Sequence, residues 1–325
     1  MSEQSGTTGA DSSPHPVLTV VVTIVDGGAT LTACLEALRQ QVGAPTLEVI
    51  VPYDETISEV AALKERFPEF RFLNLGILVD PRSAKGAFVQ HQLYDRRRAA
   101  GLRASNGRLI AMVEDRGRPK PDWARSITAL HDGHDYAVVG GAVENEAESA
   151  LLWAVYFCDF GRYQPPLDQP QPEYLTDINI CYKRDALQAV HDLWRDRYQE
   201  AQINWALRRL GRKLYLSDRP VVVEKRIPES LTILLGERIQ WGRVFGQVRG
   251  REISRSRCLI WAAGTPLLPT LLLVRHFRRQ LHKRRHISEF LRAAPAMVVL
   301  LHAWSVGEFI GYWEAAFSRA NENRG

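Results

Sequence analysis

The sequence predicts an α/β fold with a mostly parallel sheet flanked by helices, followed by a helical tail, and three observations carry that expectation. Continuous β-branched runs alternate with amphipathic segments at the spacing of strand–helix–strand units. The runs stop abruptly at glycines, prolines or acids, as buried strands do where their C-terminal edge meets solvent. One apolar run, residues 109–113, delivers Glu114 and Asp115 to that edge, where open α/β sheets bind ligands.

The elements follow in order. Residues 1–16, rich in Ser, Gly, Thr and Pro, read as a disordered leader with neither the basic start nor the apolar core of a signal peptide. Residues 17–25 form a first strand that breaks at Asp26, Gly27 and Gly28, and Leu31, Cys34, Leu35 and Leu38 mark the buried stripe of the helix that follows. Residues 47–51 are a second strand, stopped by Pro52, Tyr53, Asp54 and Glu55. A helix over 57–67 and a third strand over 70–75 complete the first crossover units. Tyr94 to Gly107 is helical, with Arg96, Arg97 and Arg103 read as a solvated face. The acid-tipped strand then runs into a proline-broken loop ending at Trp123. Further strands are expected over 136–143 and 214–223, and an amphipathic helix over 198–211. Gly140 and Gly141 let another backbone approach closely, or mark a simple bulge. The aromatic run Trp153, Tyr156, Phe157, Phe160 and Tyr163 has helical spacing and precedes a proline-rich loop, residues 165–172.

Length and composition bound the function. A chain of 325 residues with 45% hydrophobic content accommodates one large α/β domain plus an appendage, and no internal repeat is visible. The net charge of +5 is concentrated between Arg238 and Arg285 instead of spread over a broad face. Without an aromatic–basic module, nucleic acid is not an expected partner; an anionic membrane surface is. Cys34, Cys158, Cys181 and Cys258 lie far apart without CxxC spacing, so neither a zinc site nor a disulfide framework is expected, and a reducing compartment fits. The oligomeric state is left open.

The order of Val20 to Ile24, then Leu35 to Gln41, then Glu48 to Asp54 resembles the opening of family 2 glycosyltransferases, whose catalytic domain has the GT-A, nucleotide-diphospho-sugar transferase fold. Arg98, Gly101, Ala104 and Gly107 match the family's helix leading into its acidic strand. The acid-tipped strand falls at the Asp-x-Asp motif as Glu114, Asp115 and Arg116, with Arg118, Pro119, Pro121 and Trp123 continuing the likeness. Asn179, Tyr182 and Arg184 match a later segment. The resemblance covers residues 17–250; residues 251–325 form the tail.

That resemblance implies an inverting transferase using a nucleotide-diphospho-sugar, UDP-sugar favoured. Thr23, Asp54, Arg98, Asp115, Arg116, Asp177, Asn179 and Trp241 become nucleotide- or donor-contact candidates. Asp54 serves the base and ribose or acts as a helix N-cap, and Tyr53 stands where the family has a second acid and is a candidate to stack on the base. Asp177 and Asn179 contact the sugar or belong to a turn. A divalent cation, Mg²⁺ or Mn²⁺, would be held by Glu114 and Asp115, with Glu224 replacing a family histidine. Arg116 stands where the last Asp belongs and cannot ligate metal. Either Glu114 and Asp115 suffice, or cationic side chains partly replace the metal. Glu200 is the only acid in the slot of the catalytic base, Ala201 occupying the usual Asp position; its alternative role is to face the helix dipole. The Arg-Trp adjacency of processive synthases is absent, since Arg238 and Trp241 are separated. The competing class is a non-catalytic nucleotide-sugar or glycan-binding protein on the same scaffold.

The tail holds two apolar stretches. Residues 258–274 contain Gly264, Pro266 and Pro269, and residues 293–313 contain His302 and Glu308. A basic loop, residues 275–285, joins them, and two full crossings would put it on the wrong side of a membrane whose cytoplasmic face holds the catalytic domain. The expectation is therefore a monotopic or peripheral attachment at the cytoplasmic face of the cell membrane, with a membrane lipid or growing surface glycan as acceptor. A soluble helical dimerisation tail is the alternative.

Overall fold

The computed structural model describes residues 16–79, 87–167 and 171–322. Residues 1–15 of the expected leader and residues 168–170 of the proline-rich loop lie outside them.

The chain begins with β1 (Leu18–Thr23), α1 (Gly28–Arg39), β2 (Leu47–Tyr53), α2 (Val60–Arg66), β3 (Arg71–Asn74) and α3 (Ala87–Ala104). There follow β4 (Leu109–Glu114), β5 (Gly117–Pro119), α4 (Trp123–Gly133), β6 (Val138–Asn145), α5 (Ala150–Asp159) and β7 (Ile180–Lys183). Two short helices, α6 (Arg184–Gln188) and α7 (His191–Trp194), lead to α8 (Glu200–Arg209) and β8 (Leu214–Glu224). Four helices finish the described chain: α9 (Leu231–Arg251), α10 (Arg255–Gly264), α11 (Leu268–Lys283) and α12 (Ile287–Glu322).

The strands form one eight-stranded sheet in the order β3-β2-β1-β4-β7-β6-β8-β5. β1 pairs in parallel with β2 and β4, and β2 with β3, as expected from the crossovers. β7 enters antiparallel between β4 and β6, and β5 lies antiparallel on β8. β1 is fully buried along its length, so its unbroken apolar run is the signature of a central strand covered on both faces. Each such Val or Leu contributes about 1.5–3 kcal/mol by leaving water.

The parallel register sets Thr23 beside Glu114, so β1 and β4 end together. Everything that follows them, Asp26 on one side and Asp115 and Arg116 on the other, is delivered to the same edge. A β-carbon on Gly141 would lie 2.1 Å from the Pro220 carbonyl oxygen and 2.2 Å from Asn179 Nδ2, so the paired glycines serve close backbone approach.

The aromatic run is core: Trp153, Tyr156 and Phe157 on α5 are buried. Phe157 meets Phe290 of α12 at 5.1 Å between ring centres. On α12, Phe290, Ala293, Met297 and Leu300 join the same core as the sheet. The region after residue 250 therefore packs directly on the α/β unit. Where α12 crosses α9 the backbones nearly touch: β-carbons added to Gly242 and Gly307 would lie 2.3 Å from the Trp304 oxygen and 2.0 Å from the Ile239 oxygen. Arg243 clamps the crossing with two hydrogen bonds to Glu314, at 2.9 and 2.6 Å. The stretch 275–285, expected as a loop, instead continues α11 to Lys283, because nothing in it breaks a helix. Lys283 is buried and donates to the carbonyls of Gln164 and Pro166, so this cation is spent inside the protein.

Candidate functional site

Two ionic clusters meet at the C-terminal edge of β1 and β4. The first surrounds Arg98, which α3 aims at the end of β4. Its Nη2 lies 2.6 Å from Glu114 Oε1 and 2.7 Å from Asp177 Oδ2, and Nη1 lies 3.7 Å from Asp95. Glu200, the first residue of α8, adds a fourth carboxylate to the same field. One guanidinium thus faces four acids. Burial opposes its charge, but Asp177, Glu114 and Asp95 outweigh that and hold Arg98 protonated. The acids are under-compensated in turn. Burial, and then repulsion from Asp177, push both Glu114 and Glu200 well above the usual carboxylate range, against the pull of Arg98. A carboxylate raised in this way is a stronger proton acceptor than an exposed one. The sequence thus brings the expected base and the expected donor-site acid onto one arginine.

The second cluster is centred on Arg116. Its Nε and Nη2 donate to the two carboxylate oxygens of Asp26, at 2.9 and 2.5 Å, in a bidentate pair. Glu229 stands 3.8 Å away on the β8–α9 connection. Arg226 lies 2.8 Å from Glu237 and 3.6 Å from Asp159, and Arg238 lies 2.6 Å from Asp159. Trp241 is flanked by both, Arg238 at 5.1 Å and Arg226 at 5.9 Å from its ring centre. Glu224, buried at the end of β8, is raised to about 7 by burial, offset chiefly by Arg226. Tyr94 lies between the clusters: burial pushes its phenol up to about 12, with Arg116, Glu237 and Glu114 among its charged neighbours.

Several expected contacts are engaged within the protein. Asp115 turns back on the β1–α1 turn, where its carboxylate accepts from the amides of Gly27 at 2.7 Å and Asp26 at 3.1 Å; burial nevertheless raises it to about 6. Asp54 accepts from Arg97 Nε at 2.7 Å, from Thr56 Oγ1 at 2.6 Å and from the Thr56 amide at 2.9 Å. It is a turn acid and not a helix cap, since Glu59 precedes α2. Arg97, expected on a solvated face, is 1% exposed, because α3 lies with that face on β1 and β2. Tyr53 is buried, and its hydroxyl accepts from Lys64 at 2.8 Å. Asn179 spends its amide on Trp123 Nε1, the Ala142 oxygen and the Pro220 oxygen, at 2.8, 2.8 and 3.0 Å. Thr23 Oγ1 is buried at the end of β1 with no hydrogen-bond partner among the described residues.

These geometries bear on the expected cation. Oxygen ligands suit Mg²⁺ or Mn²⁺, but Glu114 is ion-paired to Arg98, Asp115 is turned to backbone amides, and Glu224 neighbours Arg226, Asp159 and Arg116. Among the described residues no group of three His, Cys, Asp or Glu side chains is arranged to hold a metal ion. Glu114, Asp115 and Glu224 do not fit a preformed metal centre, because the arginines and amides around them take the places a cation would fill.

Asp26, Asp95, Arg226, Glu229 and Arg238 were not singled out as site residues from sequence. The acid that opens the Asp26-Gly27-Gly28 turn and the closely spaced opposite charges of residues 224–229 are the available signals for Asp26, Arg226 and Glu229. Of two open surface cavities, of about 790 and 810 Å³, one lies between α1 and β5 and one at the start of β1 near Arg108 and Arg184. Neither is lined by the charged residues of the two clusters.

No protein-family profile matches the chain, and no curated protein matches it in sequence. Among solved structures it is similar to the mannosyltransferase PcManGT of Pyrobaculum calidifontis in complex with GDP-Man and Mn²⁺, at 14% identity and a TM-score of 0.44, over 98% of this chain and 79% of that one. It is likewise similar to residues 1–349 of TarS from S. aureus in complex with UDP-GlcNAc, at 13% identity and a TM-score of 0.45, over 94% and 92% of the two chains. A structure of S. aureus TarS matches at 12% identity and a TM-score of 0.46, over 93% of this chain and 55% of that one.

Proposed function

We propose that this chain is a glycosyltransferase that moves a sugar from a nucleotide-diphospho-sugar, a UDP-sugar in the favoured case, to a membrane lipid or cell-surface glycan with inversion at the anomeric carbon. The single observation that carries the reading is the convergence of Glu200, Glu114 and Asp177 on Arg98 at the C-terminal edge of β1 and β4.

In this mechanism Glu200 takes the proton of the acceptor hydroxyl as its oxygen attacks the anomeric carbon. The bond from that carbon to the phosphate oxygen breaks, and the nucleoside diphosphate leaves with the electron pair. Arg98 holds Glu114 and Asp177 in place, and Asp177 orients sugar hydroxyls. Arg116 and Arg226 supply positive charge beside the leaving group once Asp26 and Glu229 yield to phosphate oxygens. Trp241, stiffened by two guanidiniums, forms a wall of the donor site. Nucleotide-sugars are cytoplasmic, so the reaction belongs at the cytoplasmic face of the cell membrane.

A second reading, nucleotide-sugar binding without transfer, is favoured by one feature: Arg116 is already engaged in a bidentate pair with Asp26. Calorimetric titration of UDP and GDP with and without Mn²⁺, followed by donor hydrolysis in wild type and Glu200→Gln, separates the two. Binding with hydrolysis that Glu200→Gln abolishes supports transfer. Binding with no turnover across a donor panel selects the second reading, and absence of nucleotide binding rejects both.

A further inference from the structure

The exposed side of α10, α11 and α12 is unlike the rest of the surface. On α11, Leu271, Val274, Phe277 and Leu281 recur at three- and four-residue steps and form one exposed stripe, Leu271 being 63% exposed. On α12, Val306, Phe309, Trp313 and Phe317 do the same, with Trp313 48% exposed. A solvated face is not normally built from such residues in continuous rows. The stripes sit on helices that pack together antiparallel: Phe277 contacts Phe290, and Trp261 contacts Tyr312.

Charge identifies the occupant. Between Glu252 and Glu289 the sequence contains no acid and eight Lys or Arg residues. Arg275 and Arg278 are exposed within the α11 stripe, and Arg255 lies 5.0 Å over the Phe317 ring at the far end. Apolar rows with long cationic side chains among and beside them suit a surface whose interior is hydrocarbon and whose rim is anionic, the cations reaching outward to the headgroups.

The packing also fixes the depth. Arg255–Lys283 and Ile287–Phe317 are long and apolar enough to cross a membrane, each with mean hydropathy 1.5. Yet the inner side of α12 is part of the domain core, Phe290, Ala293, Met297 and Leu300 being at most 3% exposed. A crossing would strip α12 from α5 or draw the sheet into hydrocarbon, exposing unpaired polar groups there. From these observations we infer that the α10–α11–α12 face docks on an anionic lipid bilayer, lying in one leaflet without crossing it.

One consequence rests on the glycosyl-transfer reading. α12 touches α9 backbone to backbone at Gly242 and Gly307, and α9 carries Trp241 beside this contact and Arg238 one turn before it. The lipid surface then lies about one helix diameter, roughly 10 Å, beyond the helix that borders the site. A lipid-borne acceptor is thereby brought to the site.

The docking is tested on the full chain, without donor or acceptor, by sedimentation with sucrose-loaded vesicles of phosphatidylcholine alone or mixed equally with phosphatidylglycerol. Binding to mixed vesicles is expected to exceed binding to neutral ones by roughly tenfold or more, and to fall with salt, given about 1 kcal/mol for each basic residue near the surface. Phe309→Asp with Trp313→Asp, and separately Arg275→Glu with Arg278→Glu, are expected to abolish the excess while circular dichroism stays unchanged. Failure of the wild type to sediment overturns the docking, as does either folded variant binding like wild type. A dimer that dissociates in the Phe309→Asp, Trp313→Asp variant would assign the face to a second copy. A vesicle-protected proteolytic fragment would show a crossing instead. Vesicle binding without nucleotide binding would leave the docking standing and remove only the transfer reading.

Discussion

Arg116 holds Asp26 through two hydrogen bonds, Nε to Oδ2 at 2.9 Å and Nη2 to Oδ1 at 2.5 Å, and so ties the end of β4 to the β1–α1 turn. Asp115 accepts from the Asp26 and Gly27 amides, and the charge of Asp26 helps to raise it. Removing the arginine leaves a mostly buried carboxylate beside a second, raised one. Arg116→Ala is therefore expected to destabilise the chain by about 3–5 kcal/mol in chemical denaturation. Asp26→Asn together with Arg116→Ala should recover part of that loss, because the stranded charge goes with its partner. If Arg116→Ala is as stable as wild type and binds nucleotide unchanged, both the structural and the phosphate role assigned to Arg116 are wrong.

On the proposed transfer reading, in which Glu200 is the base, its proton affinity sets the pH dependence of turnover. Burial and Asp177 raise it from 4.5, so on that reading the base stays protonated, and turnover stays low, to a higher pH than an exposed glutamate would allow. The acidic limb of kcat is expected to have its midpoint well above 4.5. Glu200→Gln should lower kcat by about 10²–10⁴-fold and erase that limb while leaving donor affinity within a few fold. A limb unchanged in residual Glu200→Gln activity would assign the titration to another group.

Glu224 ties stability to pH in the opposite sense from a salt-bridged surface acid. Its folded value of about 7 exceeds its reference value of 4.5, so the folded chain binds the proton more tightly than the unfolded one. With more protons on the folded state, stability is highest below pH 4.5 for this group and falls as pH rises towards about 7. Replacing it by Gln removes the titration and should flatten that part of the stability curve, with a gain on the order of 1 kcal/mol near neutral pH. Urea midpoints measured from pH 5 to 8 in both proteins check this; parallel curves would refute it.

The parallel half of the sheet is readable because buried strands leave nearly unbroken apolar or β-branched runs, and residues 17–25 and 109–113 are such runs. β7 is not: it is only Ile180–Lys183, its antiparallel insertion between β4 and β6 is a long-range pairing, and no local pattern encodes it. At the candidate site, the sequence offers Glu114, Arg98, Asp177 and Glu200 only as separate candidates, and the fold brings them together. Arg97 was misplaced as solvated because four arginines in one helix look alike in sequence, whereas only contact with Asp54 and the Ile24 carbonyl distinguishes it. Asn179 illustrates the converse. Its position in a resembling segment suggested a sugar contact, but its three hydrogen bonds brace Trp123 and two backbone carbonyls.

The crossing of α9 and α12 gives the most direct test of how the tail is attached. Gly307 presses on the Ile239 carbonyl and the Arg243 amide, where a β-carbon would approach to 2.0 and 2.9 Å. Backbone cannot yield as a flexible side chain does, so even alanine must push the helices apart. That shift would loosen the Arg243–Glu314 clamp on the same crossing and the contacts of Gly311 one turn on. Gly307→Ala is expected to cost about 1–3 kcal/mol by overpacking, although alanine is intrinsically the better helix former by roughly 1 kcal/mol. At Gly264, where a β-carbon meets nothing within 4 Å, the same substitution should be neutral or slightly stabilising. Thermal unfolding of the two variants side by side separates packing from propensity: if Gly307→Ala is the more stable, the helices do not touch here as described, and α12 is free to move away from the domain.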